Sequence, residues 1–200
     1  MEDFGITPNY SFSDFIVVFE NSLEKEFCEK CIEKFKTDEN RYQGIVGSGI
    51  KLDTKRSTDL QISGSPEWEE EDRVFFESLN KGIQEYVEKF SKLNLQSVSH
   101  AFKDSGYQIQ ETKPGDYYIW HDDFSCTNSD SAPRYLTYLW YLNDIHEDGY
   151  TEFLDGTKIQ PEVGKLVIFP ATWTYVHRVF PPKSEVKYIC TGWVHTTDIP

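Results

Sequence analysis

Two histidines and one aspartate in the second half of the chain have the residue types and spacing of metal ligands. His121 and Asp123 follow a strand-like segment at residues 117–120. Alternate residues of a strand share a face, so one imidazole and one carboxylate should project together. His177 lies in a run at 173–179 that gives little other reason for a histidine. Two imidazoles and a carboxylate can form a facial triad suited to Fe(II); the alternative is a set of structural histidines at strand ends.

The other histidines are weaker candidates. The spacing His-x-Asp also occurs at His146, and His195 is followed by Asp198. A dipeptide spacing of this kind is weak evidence without a supporting structural context. His146 lies in a polar turn, where we expect a solvated side chain. We expect His195 to lie beyond the last strand, in a fraying terminus.

A second group of residues lies on the last predicted strand. Lys187, Ile189, Thr191 and Trp193 are alternate residues, so they should face one side. A lysine that points into a β-barrel is costly unless an anion meets it. A dicarboxylate cosubstrate would supply that anion, and Thr191 would donate a second hydrogen bond. The alternative is a lysine whose ammonium extends to the rim and stays in water.

The composition limits the function classes. The chain has 200 residues, a formal net charge of −14 and 16% aromatic residues, which fits one folded domain rather than a disordered polyanion. We do not expect nucleic acid as a partner, because binding to a phosphate backbone needs clustered Lys and Arg. The acidic first residues and the lack of a long apolar run predict neither a signal peptide nor a membrane span.

Four cysteines indicate the compartment. Cys28 and Cys31 form a CxxC inside a segment with helical periodicity. A redox motif needs a position at a helix N-terminus after a strand, and a zinc site needs a second cysteine pair. We therefore expect ordinary helix thiols in a reducing, cytoplasmic protein.

The predicted secondary structure that must position these residues changes from helices to strands along the chain. Helical patterns run from Ser22, a candidate N-cap, to Phe35, and from Ser65 to about Lys92. The irregular middle at 41–65 predicts short strands and exposed loops. From about residue 97 the period is two, which predicts a β sandwich or barrel with helices outside it. The predicted strands are 107–112, 134–142, 151–154, 165–169, 175–179 and 186–194.

Several segments in order resemble a known family. They are residues 114–123 (PGDYYIWHDD), 134–144, 149–153, 164–169 followed by His177, and 187–193. This ordered set is similar to the Fe(II)/2-oxoglutarate-dependent dioxygenases, and within them to the prolyl 4-hydroxylase-like branch, over roughly residues 97–195. The resemblance implies a mainly β fold with flanking helices: a double-stranded β-helix (jelly roll, cupin-like) packed by N-terminal helices. A single domain at 1–200 would contain helical support and substrate-side loops at 1–96 and the core at 97–195.

The resemblance also implies roles for individual residues. Iron would be bound by His121, Asp123 and His177, with no catalytic residue beyond these ligands. Lys187 would hold the distal carboxylate of 2-oxoglutarate, helped by Thr191. Tyr118 would line the site near cosubstrate and substrate, and the substrate contacts would further include Trp193 and Arg56. In two departures from the family pattern, Thr112 replaces a tyrosine that binds the cosubstrate, and Asp148 replaces the first glycine of a Gly-Gly pair.

The expected activity is hydroxylation of a C–H bond, most simply in prolyl residues of a peptide or protein. It would consume O2 and 2-oxoglutarate and release succinate and CO2, with ascorbate as a reductant. One alternative is a hydroxylase of a free amino acid or another small molecule. Another is a cupin-like domain that binds a metal without turnover, although a mere binder needs no anion clamp at Lys187. The oligomeric state does not follow from the sequence.

Overall fold

The computed structural model describes residues 10–47, 49–90, 102–124 and 133–196. They contain helices α1 (Lys25–Thr37) and α2 (Glu69–Lys89) and short 3-10 helices at Phe12–Phe15 and Pro66–Trp68. The strands are β1 Val17–Phe19, β2 Tyr42–Gln43, β3 Thr58–Gln61, β4 Phe102–Asp104, β5 Gln108–Thr112, β6 Tyr118–His121, β7 Arg134–Tyr141, β8 Thr151–Phe153, β9 Lys158–Ile159, β10 Leu166–Pro170, β11 His177–Val179 and β12 Lys187–Thr196. No helix among the described residues is long and apolar enough to cross a bilayer.

Helix α1 begins later than predicted. Its N-cap is Glu24 rather than Ser22, whose hydroxyl instead shares a 2.7 Å hydrogen bond with Ser78 of α2. The buried face of α1 carries Cys28 and Cys31, both free thiols as predicted. Burial raises the pKa of the Cys28 thiol to about 12, so this CxxC has no reactive thiolate. The predicted end of the second helix near residue 92 lies outside the described residues, as does Cys126.

Eight strands form the large sheet, in the order β1-β10-β7-β12-β5-β3-β2 with β4 also paired to β12. Its outer face packs against the helices. Helix α2 approaches β10 so closely that a Cβ on Gly82 would lie 2.8 Å from Leu166 Cδ2 and 3.1 Å from Ile168 Cδ1. The glycine inside this helix therefore permits close helix–sheet packing.

The small sheet has the order β6-β11-β8-β9 and faces the inner side of the large one. Phe153 of β8 packs against Phe169 of β10, with ring centroids 5.0 Å apart in an edge-to-face arrangement. Leu139, Tyr141 and Val167 of the large sheet belong to the same buried cluster. The inward-facing residues of β7, β10 and β12 thus form the interior between two antiparallel sheets.

Two features differ from the sequence predictions. The first half of the chain supplies β1, β2 and β3 to the large sheet; β2 and β3 lie within 41–65, where short strands are expected, but β1 is not predicted. Its chain passes from one sheet to the other, since Lys55 pairs with Tyr118 of the small sheet while Thr58 pairs with Glu111 of the large one. His195 was expected beyond the last strand, but it lies within β12 and pairs with both β4 and β7.

Candidate metal centre

The three predicted metal ligands lie together at the end of the small sheet. His177 of β11 is directly opposite His121 of β6 in the strand register, and Asp123 follows the end of β6. One ligand atom from each residue lies within 4.8 Å of the others. The carboxylate oxygens of Asp123 are 3.9 Å from His121 Nε2 and 3.8 Å from His177 Nε2.

A bulge in the β6–β11 pairing shapes this end of the sheet. Tyr118 is opposite Val179 and His121 is opposite His177, so β6 has two intervening residues where β11 has one. An extra residue of this kind changes which side chains share a face. The intervening Ile119 and Trp120 are exposed, while Tyr118 and His121 stack with ring centroids 3.4 Å apart.

Backbone carbonyls fix the tautomers of both histidines. His121 Nδ1 lies 2.7 Å from the carbonyl oxygen of Ile119, and His177 Nδ1 lies 3.0 Å from that of Tyr175. A carbonyl oxygen only accepts hydrogen bonds, so each Nδ1 must carry the proton. Each Nε2 therefore presents a lone pair, and a partner on the other ring nitrogen is usual for metal-binding histidines.

Asp123 is also held by its neighbours. The Thr137 hydroxyl donates a 2.7 Å hydrogen bond to Oδ2, and the Arg134 guanidinium donates to the Asp123 backbone carbonyl. Burial alone would raise the pKa of Asp123, but the adjacent charges of His177 and His121, together with the Thr137 hydrogen bond, lower it overall. Burial lowers the pKa of His121 to about 3, aided by the charge of His177. Deprotonated donors of this kind are those a divalent cation needs.

These donors fit Fe(II). Two neutral imidazoles and one carboxylate match the ligand set of the non-haem Fe(II) facial triad. Metal–ligand bonds of about 2.1 Å place the mutually adjacent donors of a facial triad about 3.0 Å apart. The two histidine-to-carboxylate separations, 3.9 and 3.8 Å, are about 1 Å longer than this in the metal-free arrangement.

Lys187 lies inside the barrel, with only 1% of its surface exposed. Its ammonium donates a 2.8 Å hydrogen bond to the carbonyl of Gly149, and no carboxylate of the described residues forms an ion pair with it. Burial lowers the pKa of Lys187 to about 7. A buried ammonium without a counter-ion is unfavourable, so this side chain is well suited to an anionic ligand. Thr112, which replaces the family tyrosine, lies opposite Lys187 in the β5–β12 register.

Two buried hydroxyls near Lys187 were missed by the sequence reasoning. Tyr141 donates a 2.7 Å hydrogen bond to the hydroxyl of Thr151, which is two residues from the carbonyl that Lys187 contacts. Tyr141 occupies an inward-facing position in the alternation of β7. That alternation is the sequence feature that could have identified Tyr141. The predicted cosubstrate residue Thr191 is buried, but its hydroxyl donates to the Tyr138 carbonyl. Because the Thr191 hydroxyl already donates its proton to Tyr138, it can only accept a hydrogen bond from a ligand in this structure.

The predicted substrate contacts Trp193 and Arg56 lie in different surroundings. The guanidinium of Arg134 lies 3.5 Å from the ring centroid of Trp193, and the Trp193 indole nitrogen is buried with no hydrogen-bond partner among the described residues. Arg56 is exposed; it donates to the Leu52 carbonyl and lies over the ring of Tyr117. The structure therefore brings Trp193 close to Arg134, which is hydrogen-bonded to the backbone of Asp123. Arg56 contacts only a neighbouring loop in these interactions.

The other candidates lie apart from the triad. His146 is exposed and pairs with Glu185 at 2.7 Å, as expected for a solvated turn. Asp122 is exposed, its carboxylate accepts a hydrogen bond from the Phe124 amide, and it is not part of the three-residue cluster.

Comparison with known proteins gives a family match for part of the chain. Residues 107–195 match the model of the 2OG-Fe(II) oxygenase superfamily, and this segment contains His121, Asp123, His177 and Lys187. The matched segment is somewhat less than half of the chain. This family implies Fe(II), 2-oxoglutarate and O2 as cofactor and cosubstrates.

One curated relative of this chain is a PKHD-type hydroxylase of Synechococcus sp. (strain CC9902). The two are 31% identical over 93 residues, which are 44% of this chain and 40% of the relative. The chain therefore matches less than half of the length of that relative.

Solved structures similar to this chain include three prolyl hydroxylases. That of Trichoplax adhaerens has a TM-score of 0.71 at 16% identity over 92% of this chain and 84% of its own. That of Pseudomonas putida has a TM-score of 0.65 at 14% identity over 92% and 94%. The viral collagen prolyl hydroxylase of Paramecium Bursaria Chlorella virus-1 has 0.61 at 20% identity over 92% and 97%. At these identities the likeness establishes the fold, and it confirms the predicted jelly-roll core with flanking helices.

Proposed function

We propose that this protein is an Fe(II)- and 2-oxoglutarate-dependent dioxygenase that hydroxylates prolyl residues of a peptide or protein. The observation that carries the proposal is the pairing of a His-Asp-His donor set with a buried ammonium that has no counter-ion among the described residues. The Trichoplax relative is described in complex with a peptide fragment of a hypoxia-inducible factor. That description supports a peptide or protein as the substrate class.

The iron centre would supply the oxidising chemistry. With 2-oxoglutarate and O2, such a centre converts a C–H bond to C–OH and releases succinate and CO2, which balances both oxygen atoms. His121, Asp123 and His177 would hold the ion through two Nε2 atoms and a carboxylate oxygen. The hydrogen bonds from Nδ1 and from Thr137 keep those donors oriented before the ion binds.

Lys187 would bind the distal carboxylate of 2-oxoglutarate. Its ammonium would exchange the Gly149 carbonyl for a charged partner, a stronger interaction in a buried site. The hydroxyls of Tyr141, Thr151 and Thr191 are proposed as further polar groups of this pocket. Water is excluded there because Lys187, Tyr141 and Thr151 are each buried, which favours coupling of decarboxylation to hydroxylation.

On the substrate side, we propose Tyr118 and Trp193 as the walls of the site and Arg56 as a more distant contact. Ascorbate would serve as the reductant that keeps iron in the Fe(II) state. A cytoplasmic location is proposed from the three buried, unpaired thiols among the described residues. The chain is proposed to act as a single domain over residues 1–200.

The test uses the full chain with Fe(II), 2-oxoglutarate and ascorbate and a panel of proline-containing peptides. We expect stoichiometric succinate and a mass gain of about 16 Da on a prolyl residue, both lost in His177→Ala. Succinate with no modified peptide, but with a modified amino acid or other small molecule, would favour the small-molecule alternative. Iron binding without any succinate would show a non-catalytic metal-binding domain instead.

A further inference from the structure

A buried ion pair lies beside the metal ligands without being one of them. Lys55 Nζ is 2.7 Å from Asp59 Oδ2, and only 5% of Lys55 and 1% of Asp59 is exposed. The Ser57 hydroxyl donates a 2.7 Å hydrogen bond to the other oxygen of Asp59. Both carboxylate oxygens therefore have a partner within a short stretch of chain.

The pair joins the two sheets. Asp59 belongs to β3 and is opposite Gln110 in the large sheet, whereas the backbone of Lys55 pairs with Tyr118 at the edge of the small sheet. Two more backbone hydrogen bonds fix this edge: Ile119 N to Thr54 O at 3.0 Å, and Arg56 N to Tyr117 O at 2.8 Å. The ion pair thus braces the segment against which β6 lies.

The contacts continue from Lys55 to a metal ligand. The Lys55 ammonium is 5.6 Å from the centre of the Tyr118 ring, within the range of a cation–π interaction. The same ring stacks against the imidazole of His121, with the ring centroids 3.4 Å apart and 13° between the planes. Lys55, Tyr118 and His121 therefore form one continuous series of contacts.

Stability alone does not account for such a pair. Burying two charges costs several kcal/mol per ion, and replacing a buried pair by apolar residues is often neutral or stabilising. A buried pair does, however, fix the positions of the groups around it. We infer that Lys55 and Asp59 are positioning residues for the metal centre, which hold the Tyr118 ring against His121 and thereby fix the direction of His121 Nε2. This inference rests on the proposed function.

Gly44 gives an independent way to disturb the pair. A Cβ on Gly44 would overlap Ser57 Oγ and lie 3.1 Å from both Asp59 Oδ2 and Lys55 Cε. Gly44 does not need a left-handed conformation, so Gly44→Ala changes the packing around the pair and leaves every charge in place.

The experiment measures the affinity of the full-length apoprotein for Co(II), together with the visible absorption of bound Co(II). The Lys55→Met/Asp59→Asn double variant removes both charges and keeps the net charge constant. We expect it to bind Co(II) about 10-fold more weakly and to change the cobalt spectrum, as loss of outer-shell partners does. Gly44→Ala should shift both quantities in the same direction.

A double-mutant cycle tests the route through Tyr118. If Lys55 and Asp59 act through that ring, their loss should have little further effect on Co(II) affinity in a Tyr118→Leu background. Additive losses would overturn the proposed route.

Lys165→Met is the matched control. Lys165 is a similarly buried lysine, 6% exposed, whose ammonium pairs with Glu162 at 2.6 Å. This variant should retain the wild-type Co(II) affinity and spectrum. If the folded double variant and Gly44→Ala also retained them, while the wild type turned over 2-oxoglutarate, the positioning role would be wrong and the proposed function would stand. A wild type that bound no Co(II) would overturn the proposed function and this role with it.

Discussion

The rings of Tyr118 and His121 are stacked almost in parallel, with their centroids 3.4 Å apart, although three positions separate these residues on one strand. In a regular strand, residues i and i+3 point to opposite faces. The bulge opposite Arg178 reverses that parity, because Ile119 and Trp120 together occupy the length of one partner residue. A tyrosine wall and a histidine ligand thus come to share the inner face of the small sheet.

The hydrogen bond from Thr137 to Asp123 should contribute to metal affinity. Thr137→Val has nearly the same shape but no hydroxyl to donate to Oδ2, so the carboxylate loses an orienting partner. We expect Co(II) affinity to fall about 10-fold. Equilibrium titration with Co(II) measures the change. Thr172→Val is the control, since Thr172 shares its hydrogen bond with exposed Thr174; an equal effect in both variants would contradict this role.

Lys187 should make the stability of the apoprotein depend on pH. Its pKa is about 7 in the folded state, against an ordinary value of 10.5, so between these values the unfolded chain binds the additional proton. The free energy of unfolding should therefore rise with pH from about 7 to 10, by up to about 1.4 kcal/mol per unit from this group. Urea unfolding of wild type and Lys187→Met across this window isolates the contribution as the difference in slope. Parallel curves would contradict it.

Binding of 2-oxoglutarate should be accompanied by proton uptake. An ammonium that holds a carboxylate must be charged, whereas much of Lys187 is neutral in the apoprotein above pH 7. We expect nearly one proton taken up at pH 8 and an affinity that falls as the pH rises further. Calorimetry of Fe(II)-loaded or Co(II)-loaded protein in two buffers of different ionisation enthalpy gives the number of protons. Binding without proton uptake would mean that Lys187 is already charged in the apoprotein, stays neutral in the complex or lies outside the pocket.

Gly82→Ala should destabilise the fold even though alanine favours a helix by about 1 kcal/mol. The added methyl group would lie 2.8 Å from Leu166 and 3.1 Å from Ile168, so α2 or β10 must move. We expect a net loss of about 1–2 kcal/mol of unfolding free energy, measured by chemical denaturation. An increase in stability would show that α2 can shift away from the sheet without loss.

The local sequence predicted those features that depend on a single strand or helix, such as which face of a strand a residue occupies. The alternation of Lys187, Ile189 and Thr191 on the last strand predicted their common inward face, and the order of the family segments predicted the jelly-roll fold. The N-cap at Ser22 was wrong because the Ser22 hydroxyl bonds to Ser78 of the other helix, a partner that helical periodicity does not reveal. His195 was misplaced because β4 and β7 extend the last strand on both sides.

The sequence by itself determined the chemical inventory: two histidines, a carboxylate and a lysine at the spacing of one family. Only the tertiary structure decided which groups support them. Lys55 and Asp59 are ordinary charged residues in an irregular segment until β3 and β6 bring them beside Tyr118. The physical reason is that alternation along a strand predicts only which side of its own sheet a residue faces. Pairing across 60 or more residues, the position of a bulge and the burial of an ion pair depend on contacts between sheets that no local pattern contains.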